Sequence, residues 1–229
     1  MYKIGDFNKE NRISVLCRGK SLVHLSKIHE EIDACFIVGQ FKQAFKRLNR
    51  YMYGKKIVPI INKSCIEVPK NLSEKMGIKD VQCNFAVTKP SLEKLHRRAI
   101  RKNPWAKVHV APIEINDRKI RTTRKQSKPT WATTGMMAID LATLFKPKEI
   151  WILGLDFYTC KYFSKEKFNT SINRNRGRKK IMLKYFYGIL KRDPDIHFTL
   201  FTKAKKIKKH DNLTVNFVPQ LKQYKEFLN

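Results

Sequence analysis

Short apolar runs alternate with segments of helical period along most of the chain. Ile13-Ser-Val-Leu-Cys17 is followed by a Gly-containing turn and then by Ser21 to Ile32, with apolar residues at Leu22, Leu25, Ile28 and Ile32. That pattern predicts strand, turn, helix. Ala34 to Val38 predicts the next strand, Phe41 to Tyr53 the next helix, and Ile57-Val-Pro-Ile-Ile61 a third strand. The proline inside it points to an edge or a bulge, because it has no N–H to give to a ladder. Val81–Val87 and Val108–Ile115 are further extended candidates, with a basic helix from about Ser91 to Lys102 between them.

The second half repeats the scheme. Thr134-Gly135 leads into a well-patterned helix from Met136 to Phe145, and Glu149 to Asp156 reads as a strand buried on both faces. A helix from Lys179 to Arg192, strands at His197–Phe201 and Thr214–Val218, and a short amphipathic tail close the chain. Strand and helix in alternation predict an α/β fold: a Rossmann-like, doubly wound, mostly parallel sheet in a single domain spanning 1–229. Two polar, basic segments break the alternation, near 116–130 and 159–180. In open α/β sheets ligands bind beyond the carboxyl ends of the strands, so these are either lids over a site or plain surface loops.

Composition changes the picture in one respect. Of 229 residues, 49 are Lys or Arg and 19 are Asp or Glu, a formal net charge of +30, while 42% hydrophobic residues supply ample core. Whole-chain disorder is excluded, and an anionic partner is implied unless the charge is a compositional bias. Five widely spaced cysteines without a CxxC pair read as reduced core residues of a cytoplasmic protein. No run reaches the roughly 18 apolar residues of a spanning helix, and the first residues lack a signal-peptide core. Docking on an anionic membrane surface stays open.

The first turn, Cys17-Arg-Gly-Lys-Ser-Leu22, places backbone N–H groups and the cations Arg18 and Lys20 at a helix start, which suits a phosphate as well as it suits plain architecture. It is neither a Walker loop nor a dinucleotide fingerprint. Asp193-Pro-Asp195 has the spacing of a metal-holding Asp-x-Asp, but stands between helix and strand, at the wrong end for a ligand. A helix-ending turn accounts for it, and no metal site is expected.

More informative is the stretch Thr133-Thr-Gly-Met-Met-Ala-Ile-Asp-Leu-Ala, followed by a strand ending Gly154-Leu-Asp-Phe-Tyr158. It resembles the sialyltransferases, most closely the bacterial type that uses CMP-sialic acid. There a Thr-Ser-Gly helix start leads to a strand ending Gly-Ile-Asp-Phe-Tyr. The Arg18-Gly-Lys-Ser-Leu22 turn is similar to that family's Gly-Asn-Gly-Pro-Ser-Leu, and Gly39-Gln40-Phe41 falls where the family has Asn-Gln-Phe. The resemblance extends over most of the chain at low identity and is only loose across Asn103–Ala111.

This resemblance implies a sialyltransferase-like fold and a metal-independent, inverting transfer of sialic acid or a related keto-sugar acid from a CMP-sugar to a glycan hydroxyl. It needs no cofactor beyond that donor. It implies that Arg18, Gly19, Lys20, Ser21, Gly39, Gln40, Thr133, Thr134 and Gly135 surround the nucleotide. Asp156 falls in the same pocket, and Tyr158 with Tyr162 hydrogen-bonds the departing phosphate.

The chain departs from the family where a general-base His is expected. Asn173-Arg-Asn-Arg-Gly-Arg178 has none, and Arg cannot take a proton. Asp156 is one substitute; His210 is another if it lies near the carboxyl end of the His197–Phe201 strand. The remaining histidines, at 24, 29, 96, 109 and 197, read as structural.

Other readings keep the charge and change the partner. One is a nucleic-acid-binding protein using clusters at Lys125–Lys128, Arg174–Lys180 and Lys203–Lys209, although no known nucleic-acid motif is present. Another is a lipid-linked or anionic glycan acceptor. A last one is a sialyltransferase-like domain that holds a nucleotide without transferring.

Overall fold

The computed structural model describes residues 7, 10–38, 50–61, 66–83, 89–110, 114–115, 118–119, 133–157, 159 and 172–218. Ten strands are found there: β1 (Arg12–Leu16), β2 (Ala34–Val38), β3 (Lys56–Ile61), β4 (Asp80–Cys83), β5 (Lys107–Val110), β6 (Glu114–Ile115), β7 (Arg118–Lys119), β8 (Glu149–Leu153), β9 (His197–Thr202) and β10 (Leu213–Phe217). Eight of them form one sheet in the order β10-β9-β8-β1-β2-β3-β4-β5. Every pairing in it is parallel. The two-residue strands β6 and β7 make a separate antiparallel ribbon.

The apolar runs become interior strands for the reason read from the sequence: residues on both faces are covered. Ile13, Val15 and Cys17 of the first run share one face with Phe36, Ile152 and Leu200, while Leu16 shares the other with Ile37, Leu153 and Phe201. The first of these faces is covered by α4 (Thr134–Thr143) and α5 (Ile172–Arg192), which carry Met136, Ile139, Phe186 and Ile189 into it. The second is covered by the run Lys20–Glu31, a 3-10 turn at Lys20–His24, the short α1 (Leu25–Ile28) and a 3-10 turn at His29–Glu31. Leu22, Val23, Leu25 and Ile28 are its buried positions. Two more helices, α2 (Lys70–Lys75) and α3 (Lys89–Lys102), belong to the β3-to-β5 half, and Ala99 of α3 enters the same core.

Four expectations are corrected. The strand containing Pro59 is neither an edge nor a bulge: β3 lies between β2 and β4, with Pro59 in register with Ile37. Its missing donor is harmless because short β4 pairs only with Ile60 and Ile61. The last long helix begins at Ile172 rather than Lys179, so part of the expected 159–180 loop is helical backbone. Arg and Lys are good helix formers and no proline interrupts them. The turn after β1 is followed by mixed 3-10 and α geometry rather than one regular helix. The six-residue α2 has too few residues to show a period and was not expected. Most of the Phe41–Tyr53 helix, the greater part of the 116–130 segment and the tail lie outside the described residues.

This strand order has a consequence for function. From β1 the chain moves outward through β2 to β5, and from β8 it moves the other way through β9 to β10. The reversal falls between β1 and β8, and in open α/β sheets the crevice that takes a ligand lies beyond the carboxyl ends of the strands at such a reversal.

Candidate functional site

Chain segments from three distant parts of the sequence meet at that reversal. Beyond Leu16 the ladder continues irregularly: the Cys17 N–H donates to the Leu153 carbonyl at 2.7 Å and the Gly19 N–H to the Gly154 carbonyl at 2.7 Å. The contact at Gly19 is so close that a Cβ there would lie 2.3 Å from Asp156 Oδ2. Asp156 is only 4% exposed. Its Oδ2 accepts the Ser21 N–H at 2.9 Å, and its Oδ1 accepts the Lys203 N–H at 2.8 Å. The Thr202 hydroxyl stands 3.2 Å from the same Oδ1 and 3.0 Å from the Leu155 carbonyl, and it accepts the Ala204 N–H at 3.0 Å. Ser21 returns the tie by accepting the Gly154 N–H on its Oγ at 3.1 Å. One carboxylate therefore fastens the turn after β1, the end of β8 and the end of β9.

Next to this brace stands the start of α4. Thr133 caps it, its hydroxyl accepting the Met136 N–H. The helix comes so close to β1 that a Cβ on Gly135 would be 2.9 Å from Cys17 Sγ. The positive end of α4 thus lies against the end of the first strand run, next to Cys17 and so to the turn that carries the half-buried Arg18 and Lys20. Cys17 itself is buried, and burial, with the Asp156 charge adding to it, pushes its thiol up to about 12. A thiol so held is almost wholly protonated near neutrality and is a poor nucleophile. Iodoacetamide at pH 8 is therefore expected to leave Cys17 unmodified in the folded chain and to label it after denaturation. Peptide mass mapping reads this directly, and fast labelling of the native protein would contradict the burial.

Of the residues singled out from the sequence, Arg18, Gly19, Lys20, Ser21, Thr133, Thr134, Gly135 and Asp156 come together here. Gly39, Gln40, Tyr158 and Tyr162 lie outside the described residues. Two expectations change. The amides of Gly19, Ser21 and Leu22 are not available to a phosphate: they donate to Gly154, Asp156 and Gly19, because buried N–H groups must find partners. The positive charge of this turn is carried by the side chains of Arg18 and Lys20.

His210 is not at the carboxyl end of β9. It precedes β10, whose first residue, Leu213, is in register with Phe198 at the amino end of β9. A second parallel strand requires the connection to travel back along the first, about 16 Å for these residues. There His210 Nδ1 is 2.7 Å from Asn212 Oδ1, beside the Asn212 amide that donates to Leu190, Asp193 and Ile196. Asp193 lies at the same far end, buried and bonded to Arg192, consistent with a helix-ending turn.

Sequence reasoning missed Thr202 and Lys203 as members of the brace, and Phe157, which is buried at φ 46 with its ring 5.7 Å from Phe186. A non-glycine residue at positive φ directly after Asp156 is a strained position that the surrounding packing holds. Only a polar Thr-Lys pair closing an apolar strand signalled the first two. Among the described residues no group of three His, Cys, Asp or Glu side chains is arranged to hold a metal, and no helix is long and apolar enough to cross a membrane.

Two solved structures share this architecture along nearly the whole chain. The sialyltransferase CST-II, solved in complex with a trisaccharide acceptor and CMP, superposes with a TM-score of 0.51 at 14% identity, covering 94% of this chain and 98% of its own. Cst-I of Campylobacter jejuni, a monofunctional alpha-2,3-sialyltransferase, gives 0.53 at 14% identity, covering 100% and 96%. The fold is that of the sialyltransferases. No family model matches the sequence, and no curated protein matches it. At this identity the likeness establishes a sialyltransferase-like fold and leaves the chemistry to the residues.

Proposed function

We propose that this chain is a glycosyltransferase of the sialyltransferase type. It would move sialic acid or a related keto-sugar acid, with inversion and without a metal, from a CMP-sugar to a glycan hydroxyl. The observation that carries this reading is the position of the brace. Gly19, Asp156 and the start of α4 converge at the reversal of strand order among the described residues, on a fold shared along nearly the whole chain with an enzyme solved with CMP and a trisaccharide acceptor.

In the transfer, an acceptor oxygen forms a bond to the anomeric carbon as the bond to the CMP phosphate oxygen breaks. CMP departs with the electron pair, and the acceptor proton passes to a base. Arg18 and Lys20 would hold the phosphate electrostatically, the α4 terminus would favour its charge, and Tyr158 with Tyr162 would donate to it as charge grows. Asp156 is a poor base in this scheme, since its oxygens are engaged by the Ser21 and Lys203 amides. His210 stands at the opposite end of the sheet. In this scheme the acceptor proton passes to a residue other than these two.

Calorimetric titration tests the reading. A saturable heat with CMP, and weaker or none with UMP, is expected at ~0.15 M salt, where scattered surface charge is largely screened. Tyr158→Phe is then expected to lower turnover far more than CMP affinity. Equal heats for CMP and UMP would overturn the proposal, and CMP binding without transfer would point to a domain that only holds the nucleotide.

A second reading, binding of a nucleic acid, has one observation in its favour. A groove of about 710 Å³ runs along α3, lined by Lys94, Arg97, Ile100 and Arg101. It lies on the β5 side of the sheet, remote from the reversal. An oligonucleotide retained through Arg97 and Arg101, with no response to CMP, would favour it.

A further inference from the structure

The connection from β9 to β10 has no assigned role, and it begins at the brace itself. Lys203-Ala-Lys-Lys-Ile-Lys-Lys209 holds five lysines in seven residues and no acid. Lys205, Lys206, Lys208 and Lys209 are exposed, and among the described residues none of the five is ion-paired.

The backbone is nonetheless held at intervals. The Lys203 N–H is on Asp156, Ala204 and Ile207 pack on the core face under α5, and the Lys208 N–H donates to the Tyr187 hydroxyl at 2.8 Å. The lysines therefore follow one another along a backbone that is held at several points, starts at the brace and travels back beside β9 to the start of β10. Beside its start, β10 presents Phe217, 53% exposed and in register with Thr202, the residue whose hydroxyl meets Asp156. Neighbouring strands are about 4.8 Å apart, so this ring stands one strand from the brace.

We propose that this row is the seat of an acidic glycan acceptor, one bearing carboxylate or phosphate groups. A pyranose face would rest on Phe217, and successive negative groups would follow the lysines outward. The features select this occupant. A run of lysines along one connection suits a linear chain better than a flat bilayer, and the one exposed apolar ring among the described residues of β9, β10 and their connection suits one sugar rather than a stack of bases. Lysines already fixed by their backbone lose less freedom on binding than a mobile loop would. The inference rests on the transferase reading for its orientation, since the row leads the acceptor toward the place assigned to the donor.

The test uses the full chain with CMP present and three probes: lactose, sialyllactose and lactose 6′-phosphate. Binding is read by saturation-transfer NMR titration at two salt concentrations. Both acidic probes are expected to bind about tenfold more tightly than lactose, with the advantage shrinking as salt rises. The triple variant Lys205→Glu, Lys206→Glu, Lys208→Glu is expected to abolish that advantage while leaving CMP binding intact, which shows it is folded. Phe217→Ala is expected to weaken all three sugars alike.

The phosphate and carboxylate probes distinguish the two sources of charge, and a preference for either supports the row. Equal binding of lactose and sialyllactose, no binding of any probe, or an advantage untouched by the triple variant overturns the proposal. Tighter capture by the same lysines of an RNA 20-mer, or of phosphatidylcholine vesicles containing phosphatidylserine, overturns it too. If the wild type ignores CMP yet keeps the acidic-sugar preference, the transferase reading fails and the row stands.

Discussion

Asp156→Ala is expected to lower the stability of the fold by about 4 kcal/mol and to abolish nucleotide binding with it. The substitution strips the acceptor from the Ser21 and Lys203 amides and leaves the Thr202 hydroxyl only the Leu155 carbonyl, in a position 4% exposed. A buried donor left without a partner costs about 1–3 kcal/mol, more when its partner was charged, and partial entry of water keeps the total below the simple sum. For a chain of this size each kcal/mol moves the melting temperature by about 2–4 °C, so a fall of roughly 10 °C is expected in a thermal melt.

Asp156→Asn keeps one acceptor but turns an NH2 toward backbone N–H donors, and is expected to lose about half as much. The experiment also decides between two roles for the residue. If Asp156 were the base of the transfer, the Asn variant would lose turnover with its melting temperature nearly unchanged. That outcome would overturn the bracing role.

Gly154→Ala is expected to cost about 3 kcal/mol. Gly154 has φ +74, and a Cβ there would lie 2.4 Å from the Cys17 carbonyl oxygen and 2.7 Å from its carbon. The left-handed backbone alone accounts for about 1 kcal/mol. Forced contact adds about 1–3 more, since the atoms in the way are backbone fixed in the β1–β8 ladder rather than a side chain that can turn aside. Gly54 is the built-in control: its φ is +75, but a Cβ there would meet nothing within 4 Å. Gly54→Ala should lose about 1 kcal/mol. Urea unfolding midpoints for the pair separate strain from collision, and equal losses would show that the close approach at Gly154 does not matter.

Strand existence was largely legible because burial on both faces leaves a plain mark: Ala34–Val38 was found with its observed bounds, and Glu149–Leu153 within the expected run. Ends were less so: β8 stops at Leu153 because Gly154 turns the chain toward Ser21, and β9 runs on to Thr202, one residue past the expected end. The start of the last helix is not legible because a charged, Asn-containing run carries no apolar period although its Arg and Lys residues tolerate helix well.

The candidate site divides along the same line. Gly19, Thr134, Gly135 and Asp156 were picked out by local pattern and by resemblance, and they do meet. Their working relation was hidden, because Asp156 and Ser21 are 135 residues apart and Asp156 and Lys203 are 47 apart. His210 was misplaced for a related reason. A loop's length says that a strand follows but not whether it returns antiparallel at once or, as here, travels back to lie parallel.

By itself, then, the sequence determined the class of fold, the strands buried on both faces and the large positive charge. These depend on which residues shun water and which repeat at period two or 3.6, and each is written locally along the chain. The tertiary structure alone decided the strand order and hence the place of the reversal. It alone showed that the Gly19 and Ser21 amides of the first turn are spent on Gly154 and Asp156, and that the lysines after β9 lead away from the same brace. Those facts arise from contacts between segments far apart in the chain, where a buried donor takes whichever acceptor the packed sheet brings within reach.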